Sequence, residues 1–194
     1  YCTTYRNYSF NNMSTLATTN IKHASSSSNN IVLGSDGSTS ISGHILQVVQ
    51  GTTNSIVTTS STSWVATNLS ASITPASTSN KVYVSANISL WQSTNDQSTY
   101  LTIFRSTDGG SNWTNLGDDD GSNGGVGFGW HYSSTDRLAC IQTMNILDSP
   151  SSTSAVQYKV YFRLYASTGS ASIPTGGAIS RQETNRIHLM EVAA

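Results

Sequence analysis

The chain has 194 residues, of which 36% are hydrophobic and only 10% are charged, and its formal net charge is −1. This length is enough for one domain with a hydrophobic core, together with an extension. No cluster of Lys and Arg occurs, so the composition argues against binding to nucleic acids, which requires neutralisation of phosphates, and against attraction to anionic membranes. No run of about 18 apolar residues is present, so we expect no membrane insertion.

The first 43 residues contain few apolar side chains and include a run of serines at 25–28. Such a segment cannot bury enough apolar surface to order itself alone. We therefore predict an extended N-terminal attachment arm or stalk over residues 1–43, which becomes ordered by intertwining with other copies or by lying on another protein. The candidate attachment residues are apolar positions of this segment, namely Ile21, Ile31, Val32 and Leu33.

Residues 44–194 have a different sequence pattern, in which short apolar runs alternate with turn residues. No helical periodicity persists for three turns there. Ser and Thr supply roughly 30% of the chain, and Thr is favoured on pleated surfaces. About nine short strands separated by turns predict an all-β head domain, an antiparallel β-sandwich or jelly roll. The predicted strands are 45–50, 63–73, 81–91, 100–106, 112–116, 126–132, 138–147, 156–166 and 186–192.

Strict alternation in the long strands predicts which side chains face the core. In the strand 81–91 the inward residues are expected to be Val82, Val84, Ala86, Ile88 and Leu90. In the strand 156–166 they are Val156, Tyr158, Val160, Phe162 and Leu164. The opposite face of that strand carries Tyr161, Arg163 and Tyr165. We do not expect a monomer to expose the aromatic surface of the two tyrosines to solvent, so these three residues are candidates for an interface between copies.

Two turns of the chain have a similar sequence pattern. Residues 74–84 and 149–160 share a Pro, then Ser-Thr-Ser, then a long strand. Each Pro follows an apolar strand and stops it. Two similar turns that feed two long strands predict paired positions at one end of a sandwich.

Three ordered blocks of this sequence resemble the head domains of bacteriophage tail-fibre and virion-fibre proteins. The blocks are SSTSWVATNLSASITPASTSNKVYV (60–84), LDSPSSTSAVQYKVYFR (147–163) and the ending IHLMEVAA (187–194). The resemblance spans roughly residues 44–194 and is weak at 92–132. It implies a homotrimeric head similar to the complement-globular-head and tumour-necrosis-factor jelly rolls, a location in the virion, and host recognition by variable loops.

The resemblance leaves two roles open. The first is a tail-fibre or receptor-binding protein that attaches the particle to a cell-surface glycan or protein, with other virion proteins holding the arm. The second is a capsid-decorating head-fibre protein, anchored to the particle by its N-terminal arm, whose head merely projects. In both cases we expect a structural protein rather than an enzyme, because no nucleophile-elbow motif occurs and the only glutamates are Glu183 and Glu191.

The candidate receptor-binding residues lie in the weakly matching middle of the chain. Aromatic side chains beside polar loops are how proteins stack on sugar rings, which makes Trp130, His131 and Tyr132 candidates. The alternative is that Trp130 lies in the core and Tyr132 in an interface between copies. Trp113 is a further receptor-binding candidate. It ends residues 106–113, which fit the aspartate-box pattern S-x-D-x-G-x-x-W; we interpret this single box as a tight hairpin with Trp113 packed under it rather than as part of a glycan hydrolase.

Asp118, Asp119 and Asp120 are further receptor-binding candidates. We interpret these adjacent carboxylates as a solvated loop tip; the alternative is a calcium site, although the spacing is not that of an EF-hand. The four histidines share no metal-binding spacing. We therefore predict neither a metal site nor a cofactor.

Overall fold

A computed structural model describes residues 20–21, 24–25, 27, 31–33, 39–40, 43–117, 127–134, 138–175 and 183–194. The chain divides into two compact units, Tyr1–Ile41 and Ser42–Ala194. This division falls close to the boundary that the sequence predicts between arm and head. Every regular element in the described ranges is a β-strand.

In the first unit, three short strands form one antiparallel sheet in chain order, β1 (Asn20–Ile21), β2 (Ile31–Leu33) and β3 (Thr39–Ser40). The candidate attachment residues lie in the first two of these strands. Ile21 is exposed and is the cross-strand partner of Ile31, and Val32 and Leu33 follow in the same strand as Ile31.

The second unit contains two antiparallel sheets that pack face to face. The six-stranded sheet consists of β4 (Ile45–Thr53), β5 (Val57–Thr59), β7 (Lys81–Gln92), β11 (Leu138–Asp148), β13 (Ala171–Ile173) and β14 (Asn185–Val192). The five-stranded sheet consists of β6 (Val65–Ile73), β8 (Gln97–Ser106), β9 (Thr114–Asn115), β10 (Gly129–Ser133) and β12 (Val156–Leu164).

The strand order is that of a jelly roll. In the six-stranded sheet β7 pairs with β11 on one side and with β14 and β13 on the other, while β4 pairs with β14 and β5 with β13. The order in the other sheet is β10-β8-β12-β6, with β9 also paired to β8. Short connections, such as residues 74–80, 93–96 and 149–155, therefore carry the chain back and forth between the sheets. The prediction of an all-β antiparallel sandwich is confirmed. Among the described residues of this unit, the strands that the sequence missed are the three-residue strands β5 and β13.

The core lies between the sheets and is built by the alternation that the sequence predicts. Every residue expected to face inward from β7 and β12 is buried. From β14 the inward residues are Ile187, Leu189 and Glu191, all fully buried. Burial of each large apolar side chain contributes roughly 1.5–3 kcal/mol.

The two turns that share the Pro and Ser-Thr-Ser pattern lie at the same end of the sandwich. The turn at 74–80 leads from β6 to β7, and the turn at 149–155 leads from β11 to β12. Ile73 pairs with Val156 in one sheet, and Val82 pairs with Asp148 in the other. The turns thus connect the two sheets side by side, as their common sequence predicts.

Candidate functional site

The aspartate-box segment forms a hairpin closed by its own side chains. Asp108 accepts hydrogen bonds from the backbone N–H and the side-chain amide of Asn112, at 2.9 and 2.6 Å, and from the Ser106 hydroxyl at 2.7 Å. These hydrogen bonds, that of the Asn112 N–H foremost, lower the pKa of Asp108 to about 2. The indole of Trp113 donates to the Gly110 carbonyl at 3.0 Å. The Asp108 carboxylate is thus occupied by hydrogen bonds within the hairpin, and its role is structural.

The outer face of the five-stranded sheet is lined by aromatic rings. Register places alternate residues of β12, β8 and β10 side by side on it: Arg163 pairs with Tyr100, which pairs in turn with Trp130. We call this surface the aromatic face. Its rings are those of Trp64, Tyr100, Phe104, Trp113, Trp130, Tyr132, Tyr161 and Tyr165.

The two cations of β12 lie against these rings. The Arg163 guanidinium is 4.6 Å from the ring centre of Tyr100 and 5.1 Å from that of Trp64, and only 6% of Arg163 is exposed. The Lys159 ammonium lies 5.1 Å from the Trp113 ring. Such cation–π contacts hold the middle of the face together. Beside Lys159 is a shallow depression of about 330 Å³, lined by Ser70, Ala71, Ser72, Gln157 and Lys159.

The predicted interface residues of β12 are involved in this face to different extents. Tyr161 is half-buried, with its ring centre 4.1 Å from that of Phe104, and burial raises its pKa. Arg163 is covered, as described. Only Tyr165 is exposed, so most of the surface that the sequence assigned to a neighbouring copy is already covered by rings of the same chain.

One corner of the aromatic face remains open to solvent. Trp130, Tyr132 and Tyr165 are 56%, 47% and 55% exposed, and the buried ring of Tyr100 lies at their base. The Trp130 and Tyr132 ring centres are 6.2 Å apart with their planes at 57°, and Tyr165 meets Tyr100 edge-on at 6.1 Å. Trp130 is therefore not a core residue. We call these four residues the aromatic corner.

Alternation along β10 separates His131 from its neighbours. Its Nδ1 lies 3.2 Å from the amide nitrogen of Gln142, and its Nε2 is buried without a hydrogen-bond partner in the described structure. Burial lowers the pKa of His131, which favours the neutral ring. Of the predicted cluster, the corner therefore brings together Trp130 and Tyr132, while His131 faces the interior. Asp118, Asp119 and Asp120 lie outside the described residues.

The outer face of the six-stranded sheet carries a feature that sequence reasoning missed. Cross-strand register aligns four apolar side chains, one each from β11, β7, β14 and β4. Val48 and Leu147, at its two ends, are 58% and 51% exposed. We call this the apolar row; it consists of Leu147, Tyr83, Met190 and Val48. The next row on the same face is polar and consists of Asn145, Ser85, His188 and Gln50.

Two buried carboxylates act as structural anchors. Asp148 accepts from Arg105 at 2.8 and 3.0 Å and from the Tyr158 hydroxyl at 2.7 Å. Glu191 accepts from the backbone N–H of Ala76 and the amide of Asn80, at 2.7 and 2.6 Å, and from the side chain of Gln47. Within the described ranges, no group of three His, Cys, Asp or Glu side chains has an arrangement that holds a metal ion.

No protein-family model matches the chain, and no curated protein is detectably similar to it in sequence. Nor do the described residues include a helix of the length and apolarity needed to cross a membrane.

Proposed function

We propose that the protein is a structural component of a bacteriophage virion, a tail-fibre or receptor-binding protein that acts as a homotrimer. In this proposal the first unit contacts other virion proteins of the tail or capsid, and the sandwich attaches the particle to the host surface. The activity is adhesion rather than catalysis, with no cofactor, nucleic acid or membrane insertion. The three weak sites of one trimer raise the overall affinity through effective concentration.

The apolar row is the observation that carries the proposal. Contiguous exposed apolar patches are uncommon on monomers and mark surfaces that associate. This row crosses four strands of the sheet, and the next row on that face is polar and can form hydrogen bonds with another copy. Closed association of identical chains around a symmetry axis would remove it from water. The three sequence blocks that resemble phage fibre heads favour three chains.

A native mass measurement tests the proposal directly, with three chains as the expected result. The double variant Val48→Lys/Leu147→Lys places two charges in the apolar row and is expected to give single chains that remain folded. Tyr165→Lys, an exposed position on the opposite sheet, is the matched control and is expected to stay trimeric.

Two outcomes contradict parts of the proposal. Dissociation by Tyr165→Lys alone would move the contact to the five-stranded sheet and to the residues that the sequence first indicated. A wild-type protein that remains a single chain at micromolar concentration would refute the homotrimer and, with it, the avidity mechanism.

A further inference from the structure

We propose that the aromatic corner is a binding site for a neutral glycan, an inference that rests on the adhesive role proposed above and names its ligand class and location. The corner consists of the exposed rings of Trp130, Tyr132 and Tyr165 over the buried ring of Tyr100. Adjacent large aromatic side chains seldom stay in water without a binding partner.

Strand pairing and hydrogen bonds hold much of the corner in place. Trp130 and Tyr132 project from β10, whose register with β8 runs from Gly129 to Ser133. The Tyr132 hydroxyl donates to the Asp96 carboxylate at 2.6 Å, and the backbone N–H of Tyr165 donates to the Ser98 carbonyl at 3.0 Å. The Tyr132 ring and the backbone that carries the other rings are thus already placed, so their ordering costs little conformational entropy on binding.

The chemistry of the corner matches both surfaces of a pyranose. A sugar ring has an apolar face of C–H groups, which packs on an aromatic ring, and an equatorial rim of hydroxyls. Asp96 lies at the edge of the corner, in a turn where its φ is 51°. Its carboxylate has two oxygens with several lone pairs, of which Tyr132 uses one, so it can accept hydrogen bonds from ligand hydroxyls.

Charge decides between neutral and acidic sugars. Of the two charged side chains that the structure places at the corner, Asp96 is exposed, whereas Arg163 is covered by rings. The carboxylate or sulfate of an acidic glycan would be repelled by the exposed carboxylate of Asp96. It could not reach the covered guanidinium of Arg163 to offset this repulsion. A neutral, hydroxyl-rich ligand has no such penalty.

The tilt of the rings indicates which physical form of glycan fits. Coplanar rings suit the flat surface of a crystalline polysaccharide, because all of them touch it at once. Here the Trp130 and Tyr132 planes differ by 57°, so the two rings form a shallow notch. A notch fits single sugar rings of a soluble, bending chain.

The test is titration of the full-length protein with maltohexaose, mannohexaose and chitohexaose as neutral probes and a heparin hexasaccharide as the acidic probe. Tryptophan fluorescence with acrylamide quenching reports protection of Trp130, and calorimetry gives the affinity. We expect at least one neutral probe to bind and to shield tryptophan.

Trp130→Ala and Tyr132→Ala should each weaken the affinity for that probe by about tenfold or more, since stacked aromatic residues dominate such sites. Tyr132→Phe keeps the ring and should cost less.

Ile141→Ala is the matched control, because Ile141 is 75% exposed on the opposite sheet; its affinity should equal that of the wild type. Failure of all three neutral probes, binding of heparin alone, or unchanged affinity in Trp130→Ala would each overturn the inference. A native mass measurement on every variant separates this result from the proposed function. Trimers that bind no neutral probe contradict the glycan site alone, whereas single chains that bind one contradict the trimer and leave the site standing.

Discussion

The side-chain amide of Asn80 donates a hydrogen bond of 2.6 Å to Glu191, and both side chains are buried. Asn80 ends the turn between β6 and β7, and Glu191 lies in β14. The same carboxylate binds the backbone N–H of Ala76 in that turn. The S-T-S-N turn and the L-M-E-V ending, which are 111 residues apart in the chain, are therefore two halves of one buried contact.

Removal of this carboxylate is expected to be costly. Glu191→Ala leaves the buried amide of Asn80 without this acceptor. It also removes one hydrogen bond each from the Ala76 N–H and the Gln47 amide, so we expect a loss of about 2 kcal/mol or more in the free energy of unfolding. Glu191→Gln keeps one acceptor oxygen and should lose roughly 1 kcal/mol. Urea denaturation measures both. Glu183→Ala, at the exposed second glutamate, serves as control and should stay within about 0.5 kcal/mol of the wild type.

Gly51 marks a close approach between the sheets. A Cβ atom built there would lie 2.1 Å from the backbone oxygen of Ser70 and 2.9 Å from a methyl group of Ile187. Gly51→Ala must therefore shift β4 or β6, and we expect a loss of about 2 kcal/mol or more. Gly129→Ala is the matched substitution, because a Cβ there meets nothing within 4 Å. Thermal unfolding should leave this control at or slightly above wild-type stability, and equal losses in both variants would contradict the steric explanation.

Tyr158 should make stability fall in alkaline solution. Burial, and then its hydrogen bond to Asp148, raise the pKa of Tyr158 well above its ordinary value of 10.0. A folded-state pKa above the unfolded one means that the stabilisation is complete below about pH 10 and is lost as the pH rises further. Urea unfolding at about pH 8 and about pH 11 should show this decline. It should be shallower in Tyr158→Phe and unchanged in Tyr165→Phe, an exposed tyrosine.

The aspartate-box hairpin should respond to acid in the opposite sense. The pKa of Asp108 is lowered from 3.8 to about 2, so the stabilisation is present above pH 3.8 and is lost as the pH falls through about 2. The NMR signal of the Trp113 indole N–H, which bonds to Gly110, should report this opening. In Asp108→Ala the same signal should already be shifted at neutral pH. A signal that is insensitive to both changes would show that the carboxylate does not hold the hairpin.

Local patterns were sufficient to predict the class of fold and most of its strands. Alternation predicted the inward faces of β7 and β12, and it separates His131 from Trp130 and Tyr132. It does not say which of two aromatic-bearing faces is open to water. That depends on neighbours supplied by register, such as Phe104, whose ring covers Tyr161.

The apolar row was beyond sequence reasoning for a similar reason. Val48, Tyr83, Leu147 and Met190 come from four separate strands, and each is an unremarkable single residue in its own segment. Only the pairing of β11 with β7, β7 with β14 and β14 with β4 brings them into line. The strands β5 and β13 were missed because three residues are too few to show a period.

The bond between Arg105 and Asp148 is the one salt bridge among the residues that the structure describes. Debye screening acts on exposed ion pairs, and this pair is partly buried, with side-chain exposures of 21% and 8%. Most other contacts of the described sandwich are apolar contacts and hydrogen bonds between uncharged groups, which Debye screening does not weaken. We therefore expect the stability of the described sandwich to change little with ionic strength.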